Sequence, residues 1–353
     1  MTRGLTQGRA TYPRTVDAEA AESLLDLAEL AGPGLQGLDR KPLLAQLEER
    51  YDDLTAAMQW FLEQGRTDEA MRLARSLATF WMATRRLDEG SEWFDRVLGS
   101  PGGEDVGRGR AYVEAGLLAF WRGDDDQAST LHGLALEVGR RVGEPTVTAL
   151  ALTGLARIAL RSDVAEARRL CREALVVTEA TADPVGRSNA IHVLGVAAQM
   201  AGDLVEAREL MTERMALARE LGSYGGLAGE AANLSIVERQ LGNLERADVL
   251  AREALAIAQR REDEWLFPYV LSALAAVATD RGELERAATL VGAAEAMMEA
   301  QGAAWPPDER LHYERTVARL TDGMGSAEFE RVRAAGRSLA AREAVDLALA
   351  EAG

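Results

Sequence analysis

A short motif recurs along this 353-residue chain at a spacing of about forty residues. Each copy joins a glycine or serine to an acid or amide, and an alanine follows five residues after the first member. The copies are Gly123-Asp124 with Ala128, Ser162-Asp163 with Ala167, Gly202-Asp203 with Ala207, Gly242-Asn243 with Ala247, and Gly282-Glu283 with Ala287. A fixed period of this length is typical of a stack of similar supersecondary units, each packed on its neighbours.

The residue types in the motif predict helical hairpins. Glycine favours the left-handed backbone that ends a helix, and the acid or amide after it favours the cap of the next helix. Aromatic residues make up only 5% of the chain, so alanine and leucine must supply most of the apolar surface, which favours helices over strands. We therefore predict an all-α fold: a right-handed α-solenoid superhelix of about seven helical hairpins with a C-terminal helical cap.

A second small residue follows seven positions after most of the motif alanines. It is Ala135, Ala174, Ala254 or Ala294, and Arg214 is the exception. Small residues where two helices cross let their backbones approach closely. We expect tight hairpins, with one repeat slightly open at Arg214.

Breaks in the pattern divide the chain into four segments. Residues 1–16 lack periodicity and predict a flexible tail, and residues 17–99 predict N-terminal helical repeats with one long helix over 42–63. The strongest break, at 99–103, is rich in glycine. Residues 108–301 predict the regular array, and residues 302–353 predict closing helices with a polar outer face.

Charge and cysteine content narrow the function classes. The net charge of −17 disfavours direct binding to nucleic acid and to anionic membrane surfaces. The single cysteine, Cys171, fits a reducing compartment. No apolar run reaches the ~18 residues that a membrane span needs, and the polar start of the chain does not resemble a signal peptide. We expect a cytoplasmic protein.

The hairpin pattern resembles the tetratricopeptide repeat (TPR) in a long-helix version, so the solenoid is expected to be TPR-like. Segments toward both ends of the chain are similar to the C-terminal sensor region of bacterial STAND-type regulators, of the LuxR-like, SARP-like and MalT-like kinds. The matching segments are 43–54, 56–60, 80–81, 89–90, 93–94, 290–296, 306–307, 313–315, 329, 336–337 and 343–345. In those regulators the repeats follow a nucleotide-binding switch domain and often accompany a DNA-binding helix-turn-helix.

Neither of those two domains is recognisable here. A phosphate-binding G-x-x-x-x-G-K-[ST] loop needs a lysine, and the only lysine, Lys41, follows Asp39-Arg40 without a glycine beside it. After Ala341 only one more helix fits. The resemblance therefore implies a sensor module without the ATPase or helix-turn-helix domains.

Catalytic and metal-binding patterns are absent from the sequence. The three histidines, His132, His192 and His312, fall in different repeats without ligand spacing. Cys171 has no partner base that the sequence reveals, and there is no G-x-S-x-G motif. We expect no enzyme activity, no metal and no cofactor.

A binding surface is the better hypothesis. In such superhelices the first helix of each hairpin lines the concave face, and counting back from each turn gives the residues that point inward. The candidates are Asn189, His192, Gln199, Arg239, Gln240, Tyr269, Ser272 and Trp121. Polar groups in one half of this groove and apolar groups in the other suit an extended peptide or an amphipathic helix.

These observations favour a non-catalytic interaction or sensor module in bacterial regulation or signalling. It would bind a protein segment or a small-molecule effector in the concave groove. Two alternatives stay open: a pathway-specific small-molecule binder or enzyme built on the solenoid, and a DNA-associated regulator. The aromatic stretch between Trp60 and Phe94 is explained first by core packing, and any exposed remainder would be a docking patch.

Overall fold

The computed structural model describes residues 16–301, 305 and 307–350. Within these ranges the chain forms eighteen helices and no strand, which confirms the all-α prediction. The helices are α1 (Ala18–Gly34), α2 (Lys41–Glu49), α3 (Tyr51–Glu63), α4 (Thr67–Ala83), α5 (Leu87–Gly99), α6 (Asp105–Arg122), α7 (Asp125–Val142), α8 (Pro145–Ala159), α9 (Val164–Thr181), α10 (Pro184–Met200), α11 (Leu204–Glu220), α12 (Tyr224–Gln240), α13 (Leu244–Arg261), α14 (Phe267–Asp280), α15 (Leu284–Ala300), α16 (Pro307–Met324), α17 (Ser326–Arg337) and α18 (Ala341–Leu349).

The chain divides into two compact units. Unit 1 comprises residues 1–35 and 42–142, and unit 2 comprises residues 36–41 and 143–353. Of the predicted tail, only Val16 belongs to the described residues.

Unit 1 has a core rich in aromatic residues. Phe61, Phe80, Trp81 and Phe94 are at most 1% exposed, which confirms core packing as the role of these rings. The Trp81 Nε1–H donates a hydrogen bond of 2.8 Å to the Tyr51 hydroxyl, so the buried polar tips of these two rings satisfy each other.

The long helix predicted over 42–63 is wrong in one respect, because the structure divides it into α2 and α3. At Arg50 the backbone leaves helical geometry, with φ −100° and ψ 7°. The Arg50 N–H still donates to the Gln46 carbonyl at 3.3 Å, and its carbonyl accepts from the Leu54 N–H at 2.9 Å. The break is therefore a single-residue distortion.

The turns within the hairpins have the predicted geometry at four of the five motifs. Gly123, Gly202, Gly242 and Gly282 have φ between 81° and 84°, in the left-handed region that glycine adopts without steric cost. At the first turn the Asp124 N–H reaches the Ala119 carbonyl at 2.9 Å. This backbone bond satisfies a helix-end carbonyl.

Side-chain capping by the motif acids and amide is confirmed at two turns and wrong at the other three, where Asp203, Asn243 and Glu283 make no side-chain capping bond. Asp124 accepts from the Gln127 N–H at 3.0 Å and Asp163 from the Glu166 N–H at 3.0 Å. Asp203 bonds to Arg168 instead, and Asn243 donates to Glu238 at 2.7 Å. In those two turns a neighbouring charged group competes successfully for the side chain that would have capped the helix.

The motif alanines are buried where the two helices of each hairpin meet. All five, together with Ala135, Ala174, Ala254 and Ala294, are 0% exposed. Gly116 of α6 contributes to the same close approach, because a Cβ added there would lie 2.8 Å from the His132 ring of α7. The small residues thus set the distance between paired helices, as predicted.

In unit 2 the first helix of each hairpin contacts the first helix of the next hairpin. These helices are, in order, α8, α10, α12, α14 and α16. The second helices pack against them, and α17 and α18 cover α15 and α13. The helices α15 and α17 approach unusually closely: a Cβ at Gly336 would lie 2.1 Å from the Thr289 carbonyl oxygen. Arg252 also donates to the Ala348 carbonyl at 2.9 Å, which offsets the partial negative charge at the end of α18.

Candidate binding site on the first helices of unit 2

His192 of α10 belongs to a buried charged cluster. Its Nδ1 lies 2.7 Å from Oε2 of Glu230 on α12, and the Arg214 guanidinium of α11 lies 3.0 Å from the same oxygen. The Glu230 side chain is 0% exposed. Burial lowers the pKa of His192, although Glu230 acts in the opposite direction. The imidazole is therefore neutral at pH 7, and its other nitrogen is left for a different partner.

Arg214, the exception to the small-residue pattern, is 9% exposed, and its guanidinium also donates to the Gly226 carbonyl. Sequence reasoning missed Glu230, its partner. A charged residue among the apolar positions of α12 was the signal that could have revealed it, because a buried carboxylate requires a cation or donor nearby.

A second cluster joins α12, α14 and α16 through one carboxylate. Asp280 accepts from Arg239 at 2.9 Å and from Arg319. Burial by itself would raise the pKa of Asp280, but hydrogen bonds from the two guanidinium groups hold that pKa below its usual range. Arg239 is thereby fixed at the end of α12, with part of its guanidinium available beside the cleft described next.

A small cleft lies between these three helices. Its walls are Ser235, Ile236 and Arg239 from α12, Ser272, Ala273 and Ala276 from α14, and Glu309 and His312 from α16. Its volume of about 10 Å³ has room for about one water molecule. At its edge the Gln240 Nε2 lies 3.4 Å from the His312 Nε2.

A row of partly buried aromatic rings runs beside α14. The Tyr269 ring lies 5.7 Å from Trp265 and 5.8 Å from Trp305, and Trp305 stacks on Tyr313 at 5.0 Å between ring centroids. The Tyr313 hydroxyl donates to Glu295. Burial, followed by the bond to Glu295, raises the pKa of Tyr313, so this hydroxyl is a hydrogen-bond donor throughout the physiological range.

The candidate residues therefore fall into several neighbourhoods. Arg239 and Ser272 line one cleft, with Gln240 at its edge, whereas His192 and Tyr269 belong to different clusters. The two other α10 candidates, Asn189 and Gln199, are partly buried. Trp121 belongs to unit 1, where its side chain is 47% exposed and its ring lies 5.4 Å from Phe120.

The contacts show a regularity that the sequence analysis did not use. His192 and Glu230 are 38 positions apart, and Arg239 and Asp280 are 41 positions apart. Both separations are close to the forty-residue period, so each pair joins nearly equivalent positions of neighbouring repeats. Searching for polar and charged partners about one period apart would have found both pairs.

Nothing in the described ranges is arranged like a metal centre of three or more histidine, cysteine or acidic side chains. Burial raises the pKa of the Cys171 thiol to about 12, so this thiol is protonated at neutral pH and is a poor nucleophile. Among the described helices, none is both long and apolar enough to span a bilayer.

Comparison with known proteins agrees with the repeat architecture. The profile of the tetratricopeptide repeat family matches residues 231–261, which lie in α12 and α13. Over 124 residues the chain is 32% identical to proteins of Mycobacterium tuberculosis (strain H37Rv) and Mycobacterium bovis that carry the names of HTH-type transcriptional regulators. The match covers 33% of this chain but only 14% of the length of those relatives.

Two solved structures share the fold. The crystal structure of a Rap protein complexed with competence and sporulation factor aligns with a TM-score of 0.54 at 13% identity, over 93% of this chain and 88% of that one. The Cut9–Hcn1 hetero-tetramer of the APC/C aligns with a TM-score of 0.55 at 15% identity, over 84% of this chain and 54% of that one. The TPR-like, all-α fold class predicted from the sequence is thus confirmed.

Proposed function

We propose that the protein is a non-catalytic interaction module that binds a polypeptide segment on the first helices of unit 2. The site would extend over α10, α12, α14 and α16, with His192, Arg239 and Tyr269 as contacts. The two solved structures with this fold are both complexes, one with competence and sporulation factor and the other between Cut9 and Hcn1. That likeness supports a binding role, and the residues of this chain must supply the specificity.

The proposal depends on the small volume of the cleft and on the distribution of polar and aromatic side chains over several helices. Pockets for small molecules typically have volumes of ~300–1,000 Å³, whereas the cleft at Arg239 has a volume of about 10 Å³. The aromatic row and the His192 cluster contain none of the residues that line this cleft. Several small groups of polar and aromatic side chains on neighbouring helices favour an extended polypeptide over a small-molecule effector or an enclosed active site.

A regulatory setting is part of the proposal. The 32% identity to named transcriptional regulators and the similarity of the chain ends to STAND-type sensor regions favour bacterial regulation in the cytoplasm. Binding of a segment would then alter how the repeats present their surface to a further protein. Stacked hairpins suit this role, because small rotations between neighbours accumulate along the stack.

The test is a selection of random displayed peptides against the full chain, followed by affinity measurement of the enriched peptides. We expect saturable binding to the parent protein. Simultaneous replacement of Asn189, His192, Arg239 and Tyr269 by alanine is expected to weaken that binding at least about tenfold, since this equals the loss of only ~1.4 kcal/mol.

A matched control places four alanines on exposed positions of the second helices: Val176, Val205, Arg246 and Val249. This control should bind as the parent does, and circular dichroism should give both variants the parent's helix content. If the first-helix variant keeps full affinity, or if the control loses as much, the site is misplaced. If no peptide is enriched at all, polypeptide binding itself is wrong.

A further inference from the structure

The cleft between α12, α14 and α16 contains hydroxyl groups that the helix backbone does not use. Ser235 is 1% exposed, and its Oγ has no hydrogen-bond partner among the described residues. Ser272 is 7% exposed and faces the same cleft. Other buried hydroxyls on these helices donate to the carbonyl four residues back, as Thr279 does to Ala275 at 2.7 Å. A buried polar atom without a partner is rare in folded proteins and calls for a ligand or a water.

Charged groups of both signs surround the cleft. Arg239 and Arg319 share the carboxylate of Asp280, and Glu309 adds a second carboxylate on the α16 side. His312 carries a charge only when it is protonated. The Glu309 carboxylate would repel an acidic group that enters the cleft, and the Arg239 guanidinium would repel an ammonium group.

An uncharged carboxamide avoids both conflicts. Its NH₂ group can donate to the Glu309 carboxylate or to a serine, and its carbonyl can accept from the Arg239 guanidinium or from a serine hydroxyl. The cleft has room for about one water-sized group, so only the nitrogen or the oxygen at the tip of such a side chain would enter it. A peptide group within a chain carries a Cα on each side and is bulkier at this point.

We infer that this cleft is a subsite for the side-chain carboxamide of an asparagine or glutamine in a bound polypeptide. The inference rests on the proposed function for the origin of that side chain, but the chemistry of the cleft can be tested without any polypeptide. Ser235 and Ser272 hold the two hydroxyls that select the group, and Arg239 and Glu309 exclude charged alternatives.

The experiment titrates the full chain with propanamide, propanoate and propylammonium, three small probes of similar size, and follows backbone amide signals by TROSY NMR. Propanamide is expected to shift the signals of residues 235–240 and 272–276 saturably, with a Kd on the order of millimolar or weaker for so small a ligand. The other two probes should bind at least about tenfold more weakly. Equal or tighter binding of propanoate or propylammonium, or no saturable shift with propanamide, would overturn the inference.

Substitutions at the cleft test which side chains select the carboxamide. Ser235→Ala together with Ser272→Ala should weaken propanamide binding at least about tenfold, because both hydroxyl partners are lost. Thr279→Val is the matched control: it removes a buried hydroxyl of α14 that is already bonded to the backbone, and propanamide binding should not change. Glu309→Gln should strengthen propanoate binding about tenfold by removing the repelling carboxylate; unchanged propanoate affinity would refute the charge argument.

The outcome separates the two proposals. Propanamide binding without any enriched peptide supports the subsite and rejects polypeptide binding. Peptide binding with no preference for propanamide over the charged probes supports the module and rejects the subsite.

Discussion

The two units differ in the side chains that fill their cores. In unit 1 large rings fill the interior: Phe61, Phe80 and Trp81 are all 0% exposed. In unit 2 the helices meet through alanine and glycine, and charged side chains such as Glu230 are buried among them. Large rings contribute stability through the apolar area that they bury, whereas small residues contribute through close backbone approach and leave space that polar clusters occupy.

This difference bears on function. A core of interlocked rings offers few polar groups for recognition, and the buried polar tips of Tyr51 and Trp81 satisfy each other. The small-residue packing of unit 2 instead brings polar side chains of successive repeats together at the His192 cluster and at the cleft. The comparison predicts that unit 1 is most sensitive to loss of volume and that unit 2 is most sensitive to added volume.

The largest effect is expected from removing a ring of unit 1. Phe61→Ala should lower the free energy of unfolding by ~3–5 kcal/mol, through lost burial and the cavity that remains. Urea denaturation followed by circular dichroism measures the change. Leu30→Ala is the control within unit 1, because that side chain is 83% exposed and its loss should change stability by at most ~0.5 kcal/mol. Similar losses in both variants would contradict the ring-filled core.

A smaller effect is expected from adding one methyl group in unit 2. Gly336→Ala places a Cβ within 2.1 Å of the Thr289 carbonyl oxygen, so α17 must move away from α15. Overpacking of this kind typically costs ~1–3 kcal/mol.

The control is Gly229→Ala on α12. A Cβ there meets nothing within 4 Å, and alanine is a better helix former than glycine by ~1 kcal/mol. Thermal unfolding should therefore show a lower Tm for the first variant and an equal or higher Tm for the second. A Gly336→Ala protein as stable as the parent would mean that α17 does not dock through its glycine.

The parts of the fold predictable from sequence were the local ones. The left-handed glycine at position 202 and the buried alanine at position 207 depend on residues a few positions apart. The break at Arg50 was missed, because no glycine or proline marks it.

The candidate site was harder, because its contacts join residues about one repeat apart. His192 was identified as a candidate, but its partner Glu230 was not, and neither was the carboxylate of Asp280 that holds Arg239. Such pairs depend on how neighbouring hairpins stack. The period of the sequence contains that information only when charges are compared across repeats. The unpartnered hydroxyl of Ser235 could not have been found in this way, because serine is common on helices for many reasons.

The smallest predicted effect concerns the buried charges that distinguish unit 2. Burial holds the pKa of His192 below the ordinary value of 6.5, so the folded protein takes up a proton there less readily than the unfolded chain does. The stability contributed by the neutral imidazole is present above about pH 6.5 and is lost as the pH falls from there toward the lower pKa of the folded state. Each unit of pKa difference is worth ~1.4 kcal/mol.

Urea denaturation of the parent and of His192→Gln at about pH 7.5 and about pH 5, on either side of that ordinary pKa, isolates the effect. The other titrating groups are common to both proteins, including Glu230 beside the imidazole. The parent should lose more stability than the variant on acidification. A smaller loss in the parent would mean that attraction to Glu230 outweighs burial, and that the cluster stabilises a charged His192 rather than a neutral one.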